Sequence, residues 1–160
     1  MSPVLRTLIF TVFIPGFWTV MMPYWLLPRG VRPALSGAGA AGWPLIAAGI
    51  ALYLACAFWG FALRGKGTPL PADPPKKLVV DGPYSVVRNP MYWSVACVIL
   101  GEAAVFRSVA LLDLAVVLLV VASLFVLIFE EPVLRRKFGE EYKEYCRRVP
   151  RWLPRFRRPA

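Results

Sequence analysis

Two places in this chain bring groups capable of chemistry together at a defined spacing. Residues 81–92 read DGPYSVVRNPMY. Gly82-Pro83 is turn chemistry, and Asn89 followed by Pro90 is an N-cap residue with proline at the first helical position, where the missing N–H costs nothing. A helix that begins there leaves free backbone donors and a partial positive charge, which suit an anion. The second place is Glu130-Glu131, two adjacent carboxylates directly after 21 mostly apolar residues. At the C-terminal end of an apolar helix such a pair opposes the helix dipole and needs compensation. Arg88 and Arg135 are candidate partners, and Pro132 could start a further helix whose N-terminus favours the acids. A helix start and a carboxylate pair at one interface could instead hold a ligand that carries a carboxylate together with hydroxyls or a cation.

The residue types that are absent narrow the chemistry. The chain has no histidine, so the commonest metal ligand and the commonest base at neutral pH are both missing. A base must come from Glu130, Glu131 or a tyrosinate. Of three cysteines, Cys56 and Cys97 lie inside apolar runs and Cys146 in a basic segment, which gives neither a disulfide framework nor metal-ligand spacing. Packing is their expected role, and no metal is expected.

The elements that must position these groups are membrane spans. Of 160 residues 58% are hydrophobic and only 18% charged, which excludes an ordinary soluble domain. Apolar stretches at about 4–27, 42–63, 90–106 and 109–129 are long enough, or nearly so, to cross a bilayer as helices. The first contains Pro15-Gly16 and Pro23 and should kink, with Trp18, Tyr24 and Trp25 near its end as interfacial aromatics do. It lacks a small-residue cleavage site and is read as a retained span. The second carries Ala47, Ala48, Gly49, Ala51, Ala55 and Ala57, small residues that let a neighbouring helix approach. The third and fourth are separated only by Arg107-Ser108 and should form a tight hairpin, with Glu102, Arg107 and Asp113 as a local charge cluster at its tip. The fold expected is all-α, a single polytopic domain over 1–160 with about four transmembrane helices, a long loop at 64–89 and a tail at 130–160. In that tail Val133, Leu134, Phe138, Tyr142 and Tyr145 recur at helical spacing, an amphipathic helix on or beneath the membrane surface.

Nineteen basic against nine acidic residues give a net charge of +10, but the excess sits at segment ends rather than on one polar face. The expected partner is therefore anionic lipid headgroups and not nucleic acid. Sixteen of the basic residues fall in the N-terminus, the 64–89 loop and the tail, against Arg29, Arg32 and Arg107 elsewhere. The positive-inside rule then places both termini and the long loop in the cytoplasm.

The motifs GPYSVVRNPMY at 82–92, EEPVLRRKFGEEYKEY at 130–145 and VPRWLP at 149–154 occur in an order and spacing that resemble the integral-membrane methyltransferases. That family includes isoprenylcysteine carboxyl methyltransferases and phospholipid methyltransferases, and the resemblance runs from about residue 76 to 154. It implies S-adenosylmethionine held at the cytoplasmic side. Lys76, Lys77, Leu78, Val79 and Tyr84 would line the cofactor, Asn89, Pro90, Met91 and Tyr92 would supply the helix-start contact, and Glu130 would reach its polar groups. Glu130 and Glu131 are the candidate catalytic acids. The implied acceptor is lipophilic, first the amine headgroup of a phospholipid, then a small thiol, a prenylcysteine-like carboxylate or another hydrophobic metabolite. Two departures stand out: Asn89 occupies a position where the family usually has histidine, and Val126 one where members acting on prenylcysteine carboxylates tend to have arginine. A non-enzymatic membrane scaffold whose basic tail grips anionic lipid is the alternative of another class.

Overall fold

A computed structural model describes residues 3–65 and 76–154, and among these it contains helices and no strand. The proline-rich part of the long loop, 68–75, and the end of the tail, 155–160, lie outside the described residues. Three helices are long and apolar enough to cross a membrane, Val4–Leu26, Ala38–Gly60 and the apolar first half of Val109–Arg148, and a fourth, Pro90–Phe106, is apolar but shorter. The chain is an integral membrane protein.

The first span comprises α1 (Pro3–Phe13) and α2 (Met22–Leu26) joined through a π-helical turn, Phe17–Met21. Pro23 has no N–H to offer the preceding turn, and the Thr19 hydroxyl donates to the Pro15 carbonyl at 2.9 Å, so the helix loosens there, as the prolines predict. The second span is α3 (Gly42–Leu54), which continues as a π-helical stretch, Ala55–Gly65.

The third span, α4 (Pro90–Phe106), is the centre of the molecule and packs along α3 more extensively than any other pair of elements. The contact is backbone against backbone. A Cβ placed on Gly49 would lie 2.7 Å from the Ser94 carbonyl oxygen, and one on Gly101 2.6 Å from the Ile46 side chain. Where lipid is as apolar as leucine, such close approach is what draws helices together. Of the small residues expected to admit a neighbouring helix, Gly49 faces α4 and Ala57 is buried in the core, whereas Ala47, Ala48 and Ala51 are exposed.

Arg107 takes a left-handed conformation (φ 50°) and Ser108 donates its N–H to the Ala103 carbonyl, which reverses the chain in two residues. The fourth span, α5 (Val109–Phe125), returns beside α4 around a core of Ile99, Leu111, Leu114, Ala115 and Leu118. The charge cluster expected at this hairpin does not pair: no ion pair joins Glu102, Arg107 and Asp113, and one buried carboxylate oxygen of Glu102 has no partner. Arg107 stands exposed at the left-handed turn itself, and Asp113 is exposed on α5.

A π-helical turn, Val126–Glu130, carries α5 without a break into α6 (Glu131–Arg148). The tail departs from a single amphipathic helix, because Gly139 (φ 52°, ψ −122°) interrupts α6. That bend turns Tyr142 and Tyr145 into a buried cluster with Leu78, Val80, Leu134, Phe138 and Val149. The apolar face of the tail is thereby covered by the loop that precedes α4.

Candidate functional site

Antiparallel packing of α4 and α5 brings the start of α4 beside the carboxylate pair, as expected from the hairpin. Phe10, Tyr84, Arg88, Asn89, Met91, Tyr92 and Glu130 line a small cleft of about 40 Å³ there. The Tyr92 hydroxyl donates to Glu130 at 2.9 Å. Glu130 is presented at the last position of the π-helical turn, one residue before α6 begins.

Tyr84 reaches the cleft on a short 3-10 turn, Gly82–Ser85, in which Gly82 takes φ 60° and Ser85 donates to the Gly82 carbonyl at 2.7 Å. Its backbone is fixed from the other side, where the buried Tyr145 hydroxyl donates to the Tyr84 carbonyl at 2.7 Å. Burial, with the nearby Cys56 and Glu130 adding to it, pushes the Tyr84 phenol above its ordinary range, so it stays protonated at neutral pH.

Asn89 differs from expectation. It occupies the N-cap position before Pro90, but its side chain makes no capping bond. The amide nitrogen instead donates to the Arg151 carbonyl at 3.1 Å. With proline at N1 one of the orphan donors is already gone, which leaves the buried amide available for a distant acceptor.

The two glutamates have different surroundings. Glu131 is buried among arginines, with Arg151 at 2.7 and 3.1 Å, Arg88 at 3.1 Å and Arg135 at 3.7 Å. Burial alone would raise its pKa, but the Arg151 hydrogen bonds and the charges of Arg88, Arg151 and Arg135 outweigh that and hold the carboxyl below its usual range. Glu130, one residue earlier, faces the cleft and has Tyr92 as its hydrogen-bond partner.

Of the residues expected at a cofactor, Tyr84, Asn89, Met91, Tyr92 and Glu130 gather at this cleft, and Pro90 is buried in the turn that shapes it. The earlier group does not join them there. Lys76 and Lys77 are exposed, Leu78 packs on the Tyr142 and Tyr145 cluster, and Val79 lines a second cleft of about 120 Å³ with Ala55, Trp59, Gly60, Asp81 and Tyr84. Tyr84 stands between the two clefts and borders both. Two lining residues were not singled out from the sequence. Phe10 is indistinguishable within its apolar run, and Arg88 was read only as a partner for the glutamates. The Arg88 Nε is buried with no partner, although the Nη1 atom of the same guanidinium reaches Glu131 and also the Cys146 sulfur at 2.6 Å.

A profile of phospholipid methyltransferases matches residues 40–141. The chain belongs to the phospholipid methyltransferase family. No curated protein and no solved structure matches it. The matched residues include the second, third and fourth spans, the loop with Tyr84 and Asn89, and both glutamates, so the cleft lies almost wholly within the region that defines the family; Phe10 comes from outside it.

Proposed function

We propose that this member of the family transfers a methyl group from S-adenosylmethionine to a lipophilic acceptor at the cytoplasmic face of the membrane, with the amine headgroup of a phospholipid as acceptor. The observation that carries the reading is the cleft itself, which sets a guanidinium with a buried, unpartnered Nε, a carboxylate and several aromatic rings around one space in a phospholipid methyltransferase. This donor set fits the cofactor. Arg88 would take its carboxylate, Glu130 its ammonium or ribose hydroxyls, and the rings of Phe10, Tyr84 and Tyr92 would favour its positive sulfur, at on the order of 1 kcal/mol per ring.

When bound, the cofactor supplies a methyl group that its sulfonium already makes electrophilic. The protein then has little covalent work to do: it aligns the acceptor and excludes water. An amine acceptor arriving unprotonated needs no strong base for attack, and Glu130 is the carboxylate placed to accept the proton that the methylated amine releases. Glu131, enclosed by arginines and held ionised, is a poor base and acts instead through the arginines it orients. Val126 supports an amine over a prenylcysteine-like carboxylate, since no arginine stands at that place to meet an anionic acceptor.

The test begins with equilibrium binding of S-adenosylmethionine to the purified protein, which the enzyme requires and a scaffold lacks. Transfer of labelled methyl is then measured with vesicles containing an aminophospholipid, and separately with a small thiol and a prenylcysteine analogue. Methylation of the aminophospholipid is expected, and methylation of only the thiol or the carboxylate overturns the choice of acceptor. Sidedness is read by cysteine labelling: position 75 should be cytoplasmic and position 35 external, and finding both on one side removes the four-span topology.

A further inference from the structure

We propose that residues 149–153 form a strap that holds the start of α4 in its ligand-binding shape, and that Arg151 is the positioning residue that fastens it. The inference rests on the reading of the cleft as the cofactor site. Three successive carbonyls of this segment each accept a hydrogen bond from α4 or the residues just before it. Pro150 accepts from the Arg88 backbone N–H at 2.9 Å, Arg151 from the Asn89 amide at 3.1 Å, and Trp152 from the Trp93 indole at 2.9 Å. Val149 is extended (φ −112°, ψ 124°), which ends α6, and the segment then bends along the first turn of α4.

Two of those donors, Arg88 and Asn89, are also walls of the cleft, as is Tyr92, whose ring meets the Trp152 ring edge-on at 6.0 Å. The strap therefore bonds to the same residues that a ligand must touch. Its anchor is the two-pronged pairing of Arg151 with Glu131, and Glu131 in turn holds the Arg88 guanidinium. One carboxylate fixes both a wall of the cleft and the strip across it.

Val149 roots the strap in the buried Tyr142 and Tyr145 cluster, and beyond it the attachment is mostly polar: Leu153 is 70% exposed and Trp152, edge-on to Tyr92 and Trp93, is only partly covered. Such a segment can detach without opening the helical core. Detachment would strip the Asn89 amide and the Trp93 indole of their acceptors and leave Glu131 with Arg88 and Arg135 only, so the closed state is favoured whenever a ligand fixes Arg88, Asn89 and Tyr92. Coupling of this kind is reciprocal: a ligand that closes the strap is held more tightly by it.

The experiment uses the full chain in detergent with S-adenosylhomocysteine as the probe. Arg151→Ala is expected to weaken binding about tenfold, within the usual range of coupling between two sites. Arg151→Lys, which keeps the charge and loses the two-pronged geometry, should fall between Arg151→Ala and wild type. Arg135→Ala is the control, since Arg135 shares Glu131 but is exposed and does not touch the strap; it should change binding by no more than about twofold. Independently, tryptic cleavage of the wild type after Arg151, identified by mass, should slow when S-adenosylhomocysteine saturates the protein. Wild-type affinity in Arg151→Ala, or a cleavage rate indifferent to the ligand, overturns the strap; if Arg151→Ala does not fold, the cleavage rate decides alone. No binding to the wild type overturns the cofactor reading and the strap with it, whereas wild-type binding with an unaffected Arg151→Ala overturns the strap only.

Discussion

The α3–α4 contact and the N-terminal end of α4 are joined by opposite means. Along α3 the helix is held by what is missing, with glycines at 42, 49 and 101 letting backbones meet in the apolar interior. At its start it is held by long polar side chains, with Arg88, Asn89, Trp93, Glu131 and Arg151 bonded across 20 to 62 residues of sequence. The physical reason is the solvent. Lipid offers no hydrophobic gain for helix association, so close packing must serve. At the interface water competes for every polar group, and ion pairs persist only where they are partly shielded, here beside the buried Tyr142 and Tyr145 cluster. The first kind of contact sets the frame and the second sets the site.

The largest expected effect breaks the polar end. Glu131→Ala leaves the largely buried Arg88 without its carboxylate and should cost about 3 kcal/mol or more of stability, measured by denaturant unfolding in detergent. A loss below about 1 kcal/mol would mean that these arginines behave as exposed ones do. Glu130→Gln separates site from frame: S-adenosylmethionine affinity should fall by about 1.5 to 3 kcal/mol with unfolding unchanged. Unaltered affinity would assign Glu130 a structural role only.

Gly49→Val probes the apolar contact. The added atoms meet the Ser94 carbonyl and the Val98 side chain, and the helices must separate at a cost of about 1 to 3 kcal/mol. Gly60→Ala, whose nearest foreign atom would be 3.4 Å away on the Tyr84 ring, should be tolerated, and equal losses in the two variants would contradict the close approach at Gly49. Asn89→Leu removes the donor to the Arg151 carbonyl and should weaken cofactor binding by about 1 kcal/mol, while Asn89→His, still a donor, should bind nearly as wild type. Equal affinity in both would free Asn89 from any part in the site.

The smallest effect is a pH dependence. The folded-state pKa of Glu131 is depressed, because its arginine partners outweigh burial, so its contribution is present above the ordinary carboxylate range, about 4.3, and fades as pH falls through the depressed value. The stability difference between wild type and Glu131→Gln should therefore narrow on acidification below about pH 4. A difference that does not narrow there would show that the carboxylate charge contributes nothing.

The frame was legible because long apolar runs, the Arg107-Ser108 turn and Gly49 in the second span each carry a local physical signature, although Ala47, Ala48 and Ala51 of the same small-residue run are exposed. The meeting of Glu130 with the start of α4 followed from the hairpin alone. Other features left no such trace. Asn89 looks like a cap in sequence, and nothing in its neighbourhood announces a carbonyl acceptor 62 residues away. Phe10 borders the cleft while Phe13, three residues on, is 71% exposed, and only tertiary packing tells them apart. The break at Gly139 depends on a positive φ that any interior glycine permits but few adopt. Lys76 and Lys77 were assigned to the cofactor by resemblance, and both are exposed.

The wider helical turn at Val126–Glu130 makes the length of the fourth span critical to a single residue. A π-turn holds one residue more than the α-helix it interrupts. Deleting any one residue between 126 and 129 would let an unbroken α-helix run through with its flanks nearly in phase, whereas deleting one from α5 ahead of the turn would rotate everything beyond by about 100° about the helix axis relative to α4. Glu130 would swing off Tyr92 and Glu131 away from Arg88, although composition and hydropathy would scarcely change. Change in α5 ahead of the turn is thus confined to substitution.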